Sequence, residues 1–313
     1  MARIFYVSIG MASTIHGSLE LGRRLAERGH QMTYLSHADI GEDVAAAGFQ
    51  FVRLTATAAL SARGAALSVP ARQLAPVAWL SWWRARRALR QASLKGEELA
   101  GLLAEADCVL LDMECHYAIL CTADLDLPRV LINFFFDVRF SWRVPPLSVG
   151  LPPPQTLPET AVVSLAVLQA RAVNLLWRWR QYLSRAGLAR MVRAAEYWTY
   201  YHADLRALAR AHKVSWRHEV DTGQWLRPAV YPGLPQLCLN LEELDFPRPD
   251  NAGLTYVGPF VRFDRPEPRL SFAERARWEA VRDRRRAAGG QSRLVYCSFG
   301  TFYGANEKLL RPV

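Results

Sequence analysis

Two residues in this chain are placed and typed for proton transfer. His16 follows a short apolar run, Ile4 to Ile9, and Asp112 follows another, Cys108 to Leu111. A histidine with its ordinary pKa of about 6.5 is largely neutral at working pH and can take a proton from a hydroxyl. A carboxylate beside such a histidine fixes its tautomer and steadies the imidazolium. Both residues also have plainer uses. His16 could cap or line a helix entrance, and Asp112 could bind nearby backbone N–H groups as a turn residue. Glu114 and His116 offer a competing pair next door, able to touch a small molecule or only the surface. Farther on, Ser298, Gly300 and Thr301 form a small-residue turn. Such a turn exposes N–H groups and hydroxyls that can bind phosphate oxygens, although any tight strand exit looks similar. His30 reads as structural, and His37, His202, His212 and His218 show no constellation.

The elements that must position these residues alternate in type. Ile4 to Ile9 reads as a buried strand, followed by a small-residue turn from Gly10 to Ser13. An amphipathic helix is expected from Ser18 to Arg28, closed by Gly29. Strands are then expected at Met32 to Ser36 and Phe49 to Leu54, with a helix at Asp39 to Ala47 between them. This order predicts right-handed crossovers and a doubly wound, parallel, Rossmann-like α/β sheet. Cys108 to Leu111, a helix at Tyr117 to Ala123 and a strand at Arg129 to Phe134 continue it. Ligands of such sheets sit beyond the carboxyl ends of the strands, where His16 and Asp112 would lie.

Two stretches break the alternation. Gln73 to Glu105 reads as a long helix interrupted by Gly96, with Trp79, Trp82 and Trp83 among arginines. Ala161 to His212 reads as two helices broken near Gly187, again rich in Trp and Arg. A proline-rich loop, Pro145 to Pro158, precedes this helical insertion at about 160–212. Strands resume at Gln236 to Leu241 and Leu254 to Val257, joined by a turn-rich connector from Glu242 to Pro249. The expected division is a first domain over 1–261, a linker and helix over 262–292, and the opening strand of another domain over 293–313. The linker helix, Ser271 to Arg286, carries a capping-box pattern in Ser271 and Glu274.

Composition bounds the partners. The 313 residues are 51% hydrophobic and 22% charged, so disorder is not the default. The formal charge of +10 favours anionic partners without choosing among them. No nucleic-acid module is visible, and the basic residues are spread over helices, which argues against nucleic acid. Cys108, Cys115, Cys121, Cys238 and Cys297 are odd in number and lack paired CxxC spacing. They read as reduced thiols of a cytoplasmic protein, with no metal site. No secretory leader or spanning apolar stretch is apparent, so any membrane contact is expected to be peripheral.

Four segments carry a resemblance. Leu19 to Ser36 (LELGRRLAERGHQMTYLS), Val109 to Ile119 (VLLDMECHYAI), Gly253 to Phe260 (GLTYVGPF) and Leu294 to Thr301 (LVYCSFGT) occur in the order and spacing of one family. Together with the opening strand and the turn holding His16, they resemble the UDP-glycosyltransferase superfamily, glycosyltransferase family 1, of the GT-B fold. Each is weak alone, and in sequence they span nearly the whole chain. The resemblance implies an acceptor-binding N-terminal half, cut off as the donor-binding half begins. It implies that His16 is the base, Asp112 its orienting acid, and Ser298, Gly300 and Thr301 part of the donor site. Thr14, Glu114 and His116 would then line the acceptor site. Two departures stand out. Relatives place their histidine after a glycine and farther from the Arg-Gly-His, so an ungapped alignment lands on Thr14; a short deletion restores His16. The family's HGG signature, which holds nucleotide and sugar, is absent from this chain.

The resemblance thus leads to the expectation of an inverting transfer of a hexose from a UDP-sugar to a hydroxyl of a small lipophilic acceptor. The nucleotide sugar is a co-substrate, and neither metal nor resident cofactor is expected. The rival expectation is a non-catalytic half that holds acceptor or membrane and needs a separate donor-binding partner chain. The Trp/Arg helices stay open to three readings: core helices with solvated arginines, an anionic membrane surface, or the wall of an apolar acceptor pocket.

Overall fold

The computed structural model describes residues 1–55, 96–137, 139, 141–142, 144–146, 149–185, 202–222, 229–246, 253–260, 271–287 and 289. The chain divides into two compact units, Met1–Phe260 and Val261–Val313. The first unit opens with β1 (Arg3–Ser8), α1 (Ala12–Glu27), β2 (Gln31–Ser36), α2 (Gly41–Ala46) and β3 (Gln50–Arg53). It continues with α3 (Glu97–Leu103), β4 (Cys108–Asp112), α4 (His116–Cys121) and β5 (Arg129–Asn133). Two helices, α5 (Leu157–Arg185) and α6 (His202–Ala211), precede β6 (Gln236–Cys238) and β7 (Leu254–Tyr256). The described part of the second unit is one charged helix, α7 (Phe272–Ala287).

The seven strands form one sheet in the order β3-β2-β1-β4-β5-β6-β7, and every pairing is parallel. This is the Rossmann-like α/β sheet expected from the alternation. The order reverses between β1 and β4: the chain winds outward from β1 to β3, then returns to the other side of β1. Such a switch point leaves a crevice, because the helices leaving the two strands cover opposite faces.

Strand parity divides the core into two layers. Ile4, Tyr6, Met32, Tyr34, Leu110 and Ile132 pack with Ile15 and Leu21 of α1 and Val44 of α2. Val7, Leu35, Val109, Leu111 and Leu131 pack on the other face with α3, α4 and Leu205, Leu208 and Ala209 of α6. At the end of β1, Gly10 has φ +79°, and a Cβ there would lie 2.3 Å from the Cβ of Ala38. The β1 and β2 exits therefore come together closely only with glycine at this position.

The structure shifts several expected boundaries. α1 begins at Ala12, not Ser18, so Thr14 and His16 lie within the helix. Two small polar residues of its first turns bond back to the helix backbone: the Thr14 hydroxyl donates to Met11 O (3.0 Å) and the Ser18 hydroxyl to Ile15 O (2.8 Å). α5 begins at Leu157, so Pro158 lies in its first turn, where no intrahelical N–H bond is lost. Its start is a capping box. Glu159 accepts the N–H of Gln155 (2.7 Å) and Thr156 (3.1 Å), and the Thr156 hydroxyl accepts the Glu159 N–H (3.4 Å). The capping box expected at α7 is present, with the Ser271 N–H on Glu274 Oε2 at 2.8 Å and the Glu274 N–H on Ser271 Oγ at 3.3 Å. The expected helix from Gln73 is described only after Gly96, and the break near Gly187 and the strand at Arg293 to Ser298 lie outside the described residues.

Candidate functional site

The site is built from strand exits. Ser8, Ser36 and Asp112 end β1, β2 and β4 in adjacent register, and parity sets all three on the α1 face. Each is buried, and each bends its own chain in the same way. Ser8 Oγ accepts the Gly10 N–H (3.0 Å), Ser36 Oγ the Ala38 N–H (3.1 Å), and Asp112 Oδ1 the Glu114 N–H (3.0 Å). Asn133 repeats the device at β5, accepting the Phe135 N–H at 2.8 Å. The turn use of Asp112 is therefore real.

Asp112 is also a carboxylate at the switch point, 1% exposed and on the face that α1 covers. Tyr6, two residues before Ser8 in β1, shares this face. Burial, and then the negative charge of Asp112, push the Tyr6 phenol well above its ordinary value, while the Ser18 hydroxyl acts in the opposite direction. Tyr34 anchors the same turn of α1, donating its hydroxyl to Ser18 O at 2.6 Å. Gly17 lets α1 approach the far side of the crevice: a Cβ there would lie 3.1 Å from Phe134 Cε1, just past β5.

His16 occupies the second turn of α1 and is exposed, while its neighbours Thr14, Ile15 and Ser18 are buried. His16 thus lies on α1, the helix that leaves β1, and Asp112 ends the adjacent strand β4 on the face that α1 covers. Thr14 is turned inward and bonded to its own helix. Glu114 is half-buried in the Asp112 turn. His116 begins α4 and is 2% exposed; its Nδ1 lies 3.2 Å from the Tyr231 hydroxyl, with the two rings 5.8 Å apart. That places it in the core beside the opposite sheet face. Ser298, Gly300 and Thr301 lie outside the described residues.

Some polar groups have no signal in the sequence. His212 Nδ1 meets Asp124 Oδ1 at 3.0 Å across 88 residues. Beyond β5, the Asp137 N–H and the Tyr256 hydroxyl both donate to Asp245 Oδ2, at 2.7 and 2.5 Å. Arg139 Nη2 pairs with Asp137 Oδ2 at 2.8 Å. These bonds tie three strand exits together. Tyr6 was readable, since it precedes Ser8 by two in a strand and so shares its face. Among the described residues, no group of three His, Cys, Asp or Glu side chains could hold a metal ion. The four cysteines among the described residues are free thiols, of which Cys115, Cys121 and Cys238 are buried.

Fold and site together define a doubly wound α/β domain whose strand order reverses between β1 and β4. No family model matches the chain, and no curated protein matches it. Among solved structures it is similar to the calicheamicin glycosyltransferase CalG4, with 15% identity over 86% of this chain and 54% of that one, at a TM-score of 0.41. It is similar also to the kitacinnamycin glycotransferase, with 16% identity over 87% and 55% and a TM-score of 0.39. The glycosyltransferase VinC in complex with DTDP aligns at 16% identity over 86% and 58%, with a TM-score of 0.36. The chain thus spans little more than half the length of these structures.

Proposed function

We propose that this chain is the acceptor-binding part of a glycosyltransferase that moves a hexose from a nucleotide-diphosphate sugar to a hydroxyl of a small lipophilic acceptor. What supports this reading is that His16 is exposed on α1, the helix that leaves β1, while Asp112 is buried at the end of the adjacent strand β4. Ligands of doubly wound sheets bind at that place. The sequence resemblance to the UDP-glycosyltransferase superfamily assigns the same two residues to proton transfer.

In the proposed step the His16 imidazole takes the acceptor's hydroxyl proton as that oxygen attacks the anomeric carbon. The bond from that carbon to the diphosphate oxygen breaks, the configuration inverts, and the nucleoside diphosphate leaves with the bonding pair. Asp112 favours the imidazolium that forms, a role that suits a carboxylate held in a dry layer. The donor would meet Ser298, Gly300 and Thr301, with UDP as the nucleotide of the resembled family.

The test is His16→Ala in a form that carries both an acceptor-binding and a donor-binding half. Transfer should be lost, with donor binding retained. Undiminished turnover would remove His16 from the mechanism and leave Thr14 or His116 to be examined. Parallel assays with UDP- and dTDP-hexoses identify the donor.

A further inference from the structure

Helix α5 presents its apolar side outward. Val163 and Val167 are buried, yet Val162, Leu165, Leu168, Val173, Leu175, Leu176 and Trp179 are each half or more exposed, Leu165 at 66% and Leu176 at 64%. At about 100° per residue these seven cover an arc of roughly 160°, over a length of about 26 Å. A monomer seldom shows water an apolar strip of this size unless something else covers it.

The breadth and charge of the face select the occupant. A helix partner, including the same helix of a second copy, needs a narrow seam of apolar residues repeating every three or four positions. This arc is far wider and suits a soft, flat apolar medium. The sequence of α5 carries Arg171, Arg178, Arg180 and Arg185 against a single acid, Glu159, and the whole chain bears +10. Arg171 is exposed and lies just beyond the edge of the arc. Leucines and a tryptophan on one side with Arg171 at the border fit a helix lying in a membrane interface. Among the described residues no helix is long and apolar enough to cross a membrane.

We propose that α5 docks flat on an anionic lipid surface, with Leu165, Leu168, Leu176 and Trp179 entering the headgroup–acyl boundary and Arg171 meeting lipid phosphates. This inference stands apart from the proposed transfer and uses none of its residues.

The test is co-sedimentation of the whole chain with phosphatidylcholine vesicles, with and without phosphatidylglycerol. Wild type should bind the anionic vesicles, and added salt should weaken that binding. The double variant Leu165→Glu/Leu176→Glu should lose roughly tenfold or more in bound fraction, since each leucine gives up its burial in lipid. Arg171→Gln should lose about fivefold on anionic vesicles only. Both variants alter exposed positions, so their thermal melts should match wild type. The proposal is overturned if wild type binds neither vesicle, or if the variants bind as wild type does. It is also overturned if light scattering finds a dimer that the leucine variant splits while vesicles stay bare.

Discussion

Ser8 and Asp112 end neighbouring parallel strands and turn their chains with one geometry, each side-chain oxygen taking the N–H two residues on at 3.0 Å. Asp112 therefore carries two loads: a turn that any short acceptor would satisfy, and a charge that the turn does not need. Substitution separates them. Asp112→Asn keeps an oxygen for the Glu114 N–H and should hold stability within about 1 kcal/mol, while in a transferring form of the protein it depresses turnover. Asp112→Ala removes the acceptor as well and should cost about 1–3 kcal/mol in urea denaturation. Equal stability of the two variants would show that the turn contributes little.

Gly22 lets α1 lie against β2. A Cβ at this position would come within 2.6 Å of the Tyr34 hydroxyl and 3.2 Å of Phe49 Cζ. Helix propensity alone favours alanine over glycine by about 1 kcal/mol. Here packing overrides it, because the Tyr34 hydroxyl already holds Ser18 O and has little room to move. Gly22→Ala is expected to lower stability by roughly 1–3 kcal/mol, read from the urea midpoint. A variant as stable as wild type would mean that α1 shifts freely over the sheet.

The sheet was legible because its strands are short apolar runs separated by helices with polar faces, and that alternation admits few topologies. Asp112 was legible as a residue leaving a strand. The start of α1 was not, because the small residues from Gly10 to Ser13 look like a turn and nothing in the sequence shows the Thr14 hydroxyl bonding back to Met11 O. The depth of His116 was hidden for a related reason. A histidine four residues past Asp112 looks like a second site residue, and its partner Tyr231 is too distant in sequence to reveal that it lies in the other layer. The start of α5 was readable and missed, since Thr156 and Glu159 have capping-box spacing.

Glu20 sits almost wholly covered on α1, with Arg23 and Arg24 each 3.0 Å from its carboxylate. The hydrogen bond from Arg23, and then that from Arg24, hold its pKa below the ordinary 4.5, against the effect of burial. A depressed carboxyl stabilises the fold above its unfolded value, and that contribution disappears as pH falls through the folded one. Because both arginines are nearly half exposed, solvent screening limits the effect to about 0.5–1 kcal/mol. Glu20→Gln should be less stable by that amount at neutral pH, and the gap should close as pH falls below 4.5 and through the lowered pKa of Glu20. A gap that stays constant into acid would assign the loss to packing.

At the alkaline end, the buried thiols and phenols should set the limit. Burial pushes Cys121 up to about 12 and Cys238 to about 11, against an ordinary value of 9.0. Cys115 moves the same way, and burial raises Tyr6, Tyr34, Tyr117 and Tyr231 above their usual 10.0. Unfolded, these groups release their protons near their ordinary values; folded, they keep them. The native state thus binds more protons above about pH 9, and stability falls with rising pH by roughly 1.4 kcal/mol per unit for each group so divided. Tyrosinate absorbance from the buried phenols should appear together with loss of helical circular dichroism, in one transition. In the native protein at about pH 8.5, Cys115, Cys121 and Cys238 should resist iodoacetamide and react only after denaturation. Rapid alkylation of Cys121 in the folded chain, located by peptide mass spectrometry, would contradict the dry layer between α4 and α6 that keeps this thiol protonated.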